Sequence, residues 1–304
     1  MDVLPTCFEF LPLPDGGVLR FALWSPDTAQ PRATILLLGG RTEFIEKYWE
    51  TIGELTQRGF MVCSFDWRGQ GLSSRLLADH RKGHIASFDT YLEDLALIVT
   101  HVVKPRMQPP LIVLAHSMGG HLALRFILDS PDVFDHLVLT APMVDVHMAP
   151  AVKRCLHCFA DFIVQRGGSD WYVLGARINA RRAQRFKGNQ MTSDRRRFER
   201  TQRFIASQPA LAVGGVTYAW LKAAFGSIDA LRNKVRLNPI DVPTLLVSAG
   251  EDIIVSNQAQ QALGLVLPRC RHLTIPCARH EILMESAHYR SQFWAAFDAI
   301  KLDV

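Results

Sequence analysis

The sequence lacks the segments that would direct a chain into or across a membrane. It opens with MDVLPTCFEFLPLPDGG, which has no basic region followed by an apolar one, so no secretory signal is expected. No apolar run approaches the roughly 18 residues that a membrane span needs. Six cysteines in 304 residues make no disulfide framework. These absences predict a cytoplasmic protein, and a chain of this length can bury a large core.

Signals for cofactors are also scarce. No Gly-rich phosphate loop follows a strand with the spacing of a nucleotide-binding unit, so no nucleotide is expected. Cys155 and Cys158 have the spacing of half a metal site, but no second ligand pair matches them. Because they belong to an apolar helical stripe, we expect them in the core. We predict no cofactor, no metal and no nucleic-acid partner.

Charge is unevenly distributed along the chain. The net charge is +5, but residues 145–239 carry 17 Lys and Arg against 6 Asp and Glu, whereas the rest carries 17 against 23. Strand patterns stop at about residue 145 and return after residue 239. This basic, aromatic, helix-like segment is predicted to be an inserted element with its own surface role. We therefore predict a core formed by residues 1–144 and 240–304, and a helical cap, or lid, at 145–239.

The rest of the chain alternates strands with helices. Apolar or alternating runs predict strands at 18–24, 33–38, 60–65, 111–115, 136–140, 243–248 and 271–275. Helical spacing predicts helices at 44–58, from Ser87 to about 102, and at 285–301. Short connections between alternating elements are typical of an α/β fold with a doubly wound, mostly parallel sheet.

Some charged and polar residues are expected to have structural roles. Asp66 and Arg68 are expected to pair and brace a turn after the strand at 60–65. In the cap, Thr192 or Ser193 is expected to begin a helix, and Arg195 to Arg197 are expected to form its solvated face.

The strand at 111–115 runs into His116-Ser117-Met118-Gly119-Gly120. A serine on a sharp turn between a strand and a helix is the nucleophile-elbow arrangement, usually written G-x-S-x-G. Ala115 replaces the first glycine and keeps its small size without its freedom at positive φ. We predict Ser117 as a nucleophile; the alternative is a serine that caps an ordinary helix.

An activated serine needs a base, and the base needs an acceptor that fixes its tautomer. In this arrangement an acid and then a histidine follow later strands of the sheet. Asp252 and His280 follow the last two predicted strands, so they are the predicted acid and base. Glu251 and Asp145 are competing acids. His116 is expected to point away from Ser117 and to pack.

The negative oxygen formed in acyl transfer needs two backbone N–H donors. One comes from the residue after the nucleophile, Met118, and the other from the loop Gly39-Gly40-Arg41, where Arg41 is the predicted donor. The Arg41 side chain has two alternatives. It can pair with Glu43 or place its guanidinium at the mouth of the pocket.

The motifs AHSMGG, DWRGQGLS, AGEDIIV and ARHEILME resemble those of the monoacylglycerol lipase and lysophospholipase group of α/β-hydrolases. GGRTEFIEKYWE and the cap segments NQMTSD and GGVTYAWLKAAF are similar, more narrowly, to the bacterial lysophospholipase L2 subgroup. Carried over by position, the resemblance implies the nucleophile, acid, base and donor roles of Ser117, Asp252, His280, Arg41 and Met118. One departure is the Gly-Gly pair of the GGRTEF loop. Monoacylglycerol lipases usually have His-Gly there, which argues against that exact activity.

The predicted function is a serine hydrolase of the lysophospholipase, lipase and esterase class. It would cleave the carboxylic ester of a lipid with one acyl chain through an acyl-enzyme. The basic, aromatic cap offers a channel for the chain and positive charge for a phosphate head group or an anionic membrane, so peripheral membrane contact is also expected. The alternatives are a monoacylglycerol lipase, a general carboxylesterase, an aminopeptidase-like acyl hydrolase and a non-catalytic binder with the hydrolase fold.

Overall fold

The computed structural model describes residues 5, 7–176, 185–237 and 240–301. Within them a single sheet is built from β1 (Cys7–Pro12), β2 (Val18–Trp24), β3 (Ala33–Leu38), β4 (Phe60–Phe65), β5 (Leu111–His116), β6 (His136–Thr140), β7 (Thr244–Ala249) and β8 (Cys270–Ile275). The order across the sheet is β1-β2-β4-β3-β5-β6-β7-β8. β2 is antiparallel to β1 and β4, and all other neighbouring pairs are parallel. The predicted doubly wound, mostly parallel sheet is confirmed.

The helices connect these strands. Their bounds are α1 (Trp49–Gln57), α2 (Asp89–Ile98), α3 (Lys104–Arg106), α4 (Met118–Asp129), α5 (Pro150–Gln165), α6 (Arg195–Ser207), α7 (Tyr218–Leu237), α8 (Asn257–Val266) and α9 (Ala287–Asp298). A 3₁₀ turn at Ile45–Tyr48 precedes α1, and a π-helical segment at Val99–Val103 joins α2 to α3. Further 3₁₀ turns lie at Pro209–Leu211 and Ile282–Met284. In the described part of the chain, no helix is both long and apolar enough to cross a membrane.

The predicted strands were recognisable because the central parallel strands are covered on both faces. β3, β5, β6 and β7 are buried along their whole lengths, which gives their continuous apolar runs. Edge strand β1 was missed. Its Phe8 and Phe10 are 43% and 54% exposed, so its alternation does not mark an inward apolar face.

The sheet places two loops side by side at its carboxyl edge. The chain passes from β3 to β4 on one side and then returns to β5 on the other side of β3. Leu38 at the end of β3 therefore pairs with Ala115 near the end of β5. Ligands of open α/β sheets bind at such a switch point. The loops that follow β3 and β5 are the predicted donor loop and the predicted elbow.

The segment between β6 and β7 is helical in its described part, with α5, α6 and α7 as its main elements. Its residues 177–184 and 238–239 lie outside the described residues, and the predicted core and cap boundaries stay predictions. One expectation about it is wrong. Cys155 and Cys158 are exposed because α5 packs on α7 through other residues, including a buried Ala160 and the His157 ring, which lies 5.5 Å from the Phe225 ring.

The charged residues expected to be structural have other partners. Asp66 pairs with Arg20 at 2.6 Å, whereas Arg68 pairs with Asp94 at 2.7 Å, so the expected brace between Asp66 and Arg68 is wrong. Arg20 is distant from Asp66 in the sequence, and Asp94 is distant from Arg68. The fold brings each pair together, which local spacing does not reveal.

The N-cap of helix α6 lies one or two residues later than expected. Its N-cap is Asp194, whose carboxylate accepts a hydrogen bond from Arg197 N–H at 2.9 Å, and not Thr192 or Ser193. Arg197 is buried and hydrogen-bonded to Glu50, so only part of the Arg195 to Arg197 run is solvated.

Candidate active site

Ser117 lies at a strained turn between β5 and α4. Its backbone has φ 52° and ψ −114°, a conformation that non-glycine residues rarely adopt. The turn is held because Ser117 N–H donates to Thr140 O at 3.1 Å and Ser117 O accepts from Met143 N–H at 2.9 Å. Ala115 lies inside β5 and does not have a positive φ, so alanine fits where the motif usually has glycine. The side chain of Ser117 is thereby directed away from the strand.

Glycine is required at position 119 for a different reason. A Cβ there would lie 2.5 Å from Leu38 O and 2.6 Å from Gly39 O, closer than such atoms approach. The first turn of α4 therefore packs directly on the backbone that follows β3. This contact keeps the elbow and the donor loop together.

The structure brings Ser117, His280 and Asp252 into one hydrogen-bonded chain. His280 Nε2 lies 3.0 Å from Ser117 Oγ, and His280 Nδ1 lies 2.7 Å from Asp252 Oδ2. All three side chains are buried. They follow β5, β8 and β7, respectively, at the same edge of the sheet.

Asp252 is held as a carboxylate. Its Oδ1 accepts hydrogen bonds from Ile254 N–H at 2.8 Å and Val255 N–H at 3.0 Å. Burial acts to raise the pKa of Asp252, but the hydrogen bond and charge of His280 and these two N–H groups outweigh it, and the pKa is lowered. An ionised Asp252 suits an acceptor that orients a histidine.

The competing acids have other surroundings. Asp145 pairs with Lys153 at 2.8 Å and with Arg232 at 2.7 Å. Glu251 is exposed. Of the three candidate acids, Asp252 is the one hydrogen-bonded to His280.

His116 is buried beside the chain of hydrogen bonds. Its Nδ1 lies 3.0 Å from Thr140 O, and its ring centroid lies 4.8 Å from that of His280. Burial lowers the pKa of His116 to about 4. The neutral His116 ring therefore packs against His280. Its hydrogen bond to Thr140 has a structural role.

Two N–H groups of the loop after β3 are hydrogen-bonded within the protein. Gly40 N–H donates to Glu43 Oε2, and Thr42 N–H donates to Gln70 Oε1. Among the described residues, the N–H groups of Arg41 and Met118 have no protein acceptor. These are the two predicted donors, and their binding of an oxygen at Ser117 stays a prediction.

A buried ionic network lies behind this loop. Lys47 Nζ lies 2.6 Å from Glu43 Oε1 and 2.7 Å from Glu281 Oε1. Burial acts to raise the pKa of Glu43, but Lys47 outweighs it with help from His116 and Tyr48, and the pKa falls to about 2. Because Glu43 also accepts from Gly40 N–H and Glu281 follows His280, the network joins the donor loop to the histidine loop.

Sequence reasoning missed this network. The available signal was the Glu-x-x-x-Lys spacing of Glu43 and Lys47, directly after the donor loop, although Glu43 lies before the 3₁₀ turn at Ile45–Tyr48. Glu281 offered no signal beyond its position next to His280.

One of the two alternatives for the Arg41 side chain, pairing with Glu43, is wrong. Glu43 pairs with Lys47 and not with Arg41. Arg41 Nη1 instead donates to Gly214 O at 3.1 Å, and its Cζ lies 5.6 Å from the centroid of the Trp220 ring. The guanidinium thus lies where the loop after β3 meets the segment between β6 and β7.

The sheet topology and the position of Ser117 define an enzyme of the α/β-hydrolase fold class. The protein-family model described as "Serine aminopeptidase, S33" matches residues 29–287, which is most of the chain. The chain therefore belongs to this family.

Relatives and solved structures agree with this assignment. The chain is 35% identical over 266 residues to lysophospholipase L2 of Escherichia coli K12, covering 84% of this chain and 76% of the relative. It is 28% identical over 268 residues to a probable lysophospholipase L2 of Haemophilus influenzae, covering 88% and 83%. A soluble variant of monoglyceride lipase from Saccharomyces cerevisiae, solved with a substrate analog, shares the fold with a TM-score of 0.75 at 18% identity, over 97% of this chain and 94% of that one. The predicted family resemblance, fold and enzyme class, a carboxylic ester hydrolase, are confirmed.

Proposed function

We propose that this protein is a serine hydrolase that cleaves the carboxylic ester of lipids with a single acyl chain. Ser117 is the nucleophile, His280 is the general base and Asp252 orients the histidine. The N–H groups of Met118 and Arg41 bind the oxygen that becomes negative. The relatives named as lysophospholipases support the substrate class.

The reaction has two halves that use the same residues. Ser117 Oγ attacks the ester carbonyl while His280 Nε2 takes its proton, and the carbonyl oxygen becomes an oxyanion bound by the two N–H groups. The tetrahedral intermediate then expels the alcohol, which receives the proton from His280, and leaves an acyl group on Ser117. Water activated by His280 releases the fatty acid and restores the serine. Asp252 fixes the tautomer and stabilises the imidazolium.

The observation that carries the proposal is the unbroken chain from Ser117 to Asp252. Its two hydrogen bonds, 3.0 Å and 2.7 Å long, have the geometry that proton transfer between nucleophile, base and orienting acid requires. The strained φ of Ser117 supports the same role, because strain of this kind persists where the surrounding structure enforces it, often at functional turns.

We also propose that residues 145–239 act as the cap and contact a membrane surface. Val152, Phe159 and Phe162 on α5 are 50%, 42% and 48% exposed, although they are large apolar side chains. Arg154 and Arg166 are exposed on the same helix. An apolar helix face flanked by arginines favours an interface with anionic lipid, which would bring the enzyme to its substrate.

Labelling with a fluorophosphonate probe tests the catalytic assignment. The protein should react, and Ser117→Ala should lose both labelling and about 10⁶-fold in kcat while keeping its fold by circular dichroism. A folded wild-type protein that does not label would favour the non-catalytic binder.

A substrate panel then separates the enzyme classes. It should contain a lysophospholipid, a monoacylglycerol, a short p-nitrophenyl ester and an amino-acid p-nitroanilide. The highest kcat/KM is expected for a single-chain lipid ester. Preference for the short ester would favour a general carboxylesterase, and preference for the anilide would favour the aminopeptidase-like alternative that the family description carries.

A further inference from the structure

Arg41 differs from the fully buried cations of the protein. Each buried Lys or Arg side chain in the described residues contacts a carboxylate: Arg20, Lys47, Arg68, Arg125, Arg197 and Arg290. The half-buried guanidinium of Arg41 has no carboxylate within salt-bridge distance among the described residues. Its partners are one carbonyl oxygen and one aromatic face. Removal from water lowers the pKa of Arg41, in keeping with this uncompensated charge.

A half-buried cation whose lost hydration is not fully replaced is costly. Proteins normally replace the lost hydration with a carboxylate, as for the six fully buried cations here, or with backbone carbonyls. The half-buried Arg75 and Arg279 donate to three and two carbonyl oxygens, respectively, whereas Arg41 donates to one. A guanidinium that keeps most of its N–H donors free matches the paired oxygens of a carboxylate or a phosphate. The geometry therefore indicates that the missing anion arrives with the substrate.

The position of Arg41 indicates which part of the substrate carries that anion. In the proposed function its N–H is one of the two donors to the ester carbonyl oxygen, so that oxygen binds at the Arg41 backbone. Its guanidinium then lies five bonds further along the side chain, at most about 6 Å from Cα. In a lysophospholipid, the carbonyl carbon of the sn-1 ester and the phosphorus are six bonds apart, or about 7 Å when extended. The two lengths match.

Glycine backbone lies close to the Arg41 guanidinium. Gly83 N–H donates to Gly215 O at 2.9 Å, which joins the loop at 81–84 to the segment at 214–217. A Cβ on Gly83 would lie 3.5 Å from Arg41 Nη1. Glycine backbone and the Trp220 ring therefore both border the guanidinium.

We propose that the Arg41 guanidinium binds the phosphate of a lysophospholipid head group while the Arg41 N–H binds the carbonyl oxygen of its ester. This inference rests on the proposed function and adds the residue that selects phospholipid over neutral lipid. The alternative is that Arg41 only ties the two segments together through Gly214 O. A tie of that kind would support all ester substrates equally.

The test compares kcat/KM for lysophosphatidylethanolamine and for a monoacylglycerol with the same acyl chain, both in micelles of one neutral detergent. Arg41→Gln keeps the backbone N–H and removes the charge. It should lower the ratio of the two values, phospholipid over neutral lipid, by about tenfold to a hundredfold, as expected for loss of a charge-assisted hydrogen bond. Arg41→Lys should recover part of the ratio. Arg81→Gln, an exposed cation on the neighbouring loop, should leave the ratio unchanged.

A parallel loss on both substrates in Arg41→Gln, or an equal change of the ratio in Arg81→Gln, would overturn the inference. A second measurement needs no variant. In the wild type, sn-glycero-3-phosphoethanolamine should competitively inhibit monoacylglycerol hydrolysis, whereas glycerol should not. Absence of that inhibition, or equally strong inhibition by inorganic phosphate, would overturn a head-group site. A folded wild type that cleaves neither lipid would refute the proposed function itself, which is a different result from loss of selectivity in an active enzyme.

Discussion

Replacing Lys47 by methionine should destabilise the protein strongly. The Lys47 side chain is 5% exposed and lies between the carboxylates of Glu43 and Glu281, which are 3% and 12% exposed. Lys47→Met would leave two buried acids without a counter-charge. Breaking a buried pair by removing one partner costs about 3–5 kcal/mol. At about 2 °C per kcal/mol for a domain of this size, Tm should fall by about 6–10 °C.

A matched exposed pair provides the control. Lys234 Nζ lies 2.6 Å from Asp129, but these side chains are 39% and 51% exposed. Because solvent screens such pairs, Lys234→Met should change the free energy of unfolding by about 0–1 kcal/mol. Urea denaturation of both variants at pH 7 measures the difference.

The double variant Glu43→Gln/Lys47→Met tests the cause of the loss. It should be less destabilised than the sum of the single variants, because one stranded charge is removed. If Lys47→Met loses no more stability than Lys234→Met, or if the effects of the Glu43 and Lys47 changes are additive, the network does not act as one stabilising unit.

Three further outcomes are expected. Asp252→Asn should lower kcat by about 10³–10⁴-fold in steady-state assays without unfolding the protein, because His280 loses the acceptor that fixes its tautomer; a loss below tenfold would contradict that role. Gly119→Ala should lower stability by about 1–3 kcal/mol by overpacking against Leu38 O. As a control, Gly226→Ala on α7, where an added Cβ meets open space, should raise the free energy of unfolding by about 0.5–1 kcal/mol. Equal Tm values for the Gly119→Ala and Gly226→Ala variants would refute the close contact at Gly119. The stability lost in Glu50→Gln should be full above pH 4.5 and vanish as the pH falls toward 2. Burial acts to raise the pKa of Glu50, but the hydrogen bond from Arg197 and the nearby arginines lower it from 4.5 to about 2; a loss unchanged at low pH by urea denaturation would contradict this.

The sheet and the positions of the polar residues around Ser117 followed from local patterns. Strands that are buried on both faces have continuous apolar sequences, and β3, β5, β6 and β7 are such strands. Since parallel strands end at one edge, residues that follow them meet there. That rule was enough to place Asp252 and His280 near Ser117.

Other features depend on contacts between distant parts of the chain, and local patterns do not encode them. Spacing predicted an apolar face on α5, but whether that face turns inward depends on where α7 packs. Likewise, Asp66 and Arg68 are close in sequence, yet each is paired with a residue brought in by the fold. The partner of Arg41 is a carbonyl oxygen 173 residues away.

The buried network behind the donor loop also restricts how this sequence can evolve. Losing Lys47 alone strands two carboxylates in the interior, whereas losing Glu43 or Glu281 alone leaves Lys47 with one carboxylate partner. Replacing all three by apolar groups of similar volume is nearly neutral. A path that loses Lys47 first therefore passes through a less stable intermediate. Related sequences that keep both acids are expected to keep Lys47 as well. The joint inheritance of three residues would mark the lineages that share this construction of the site.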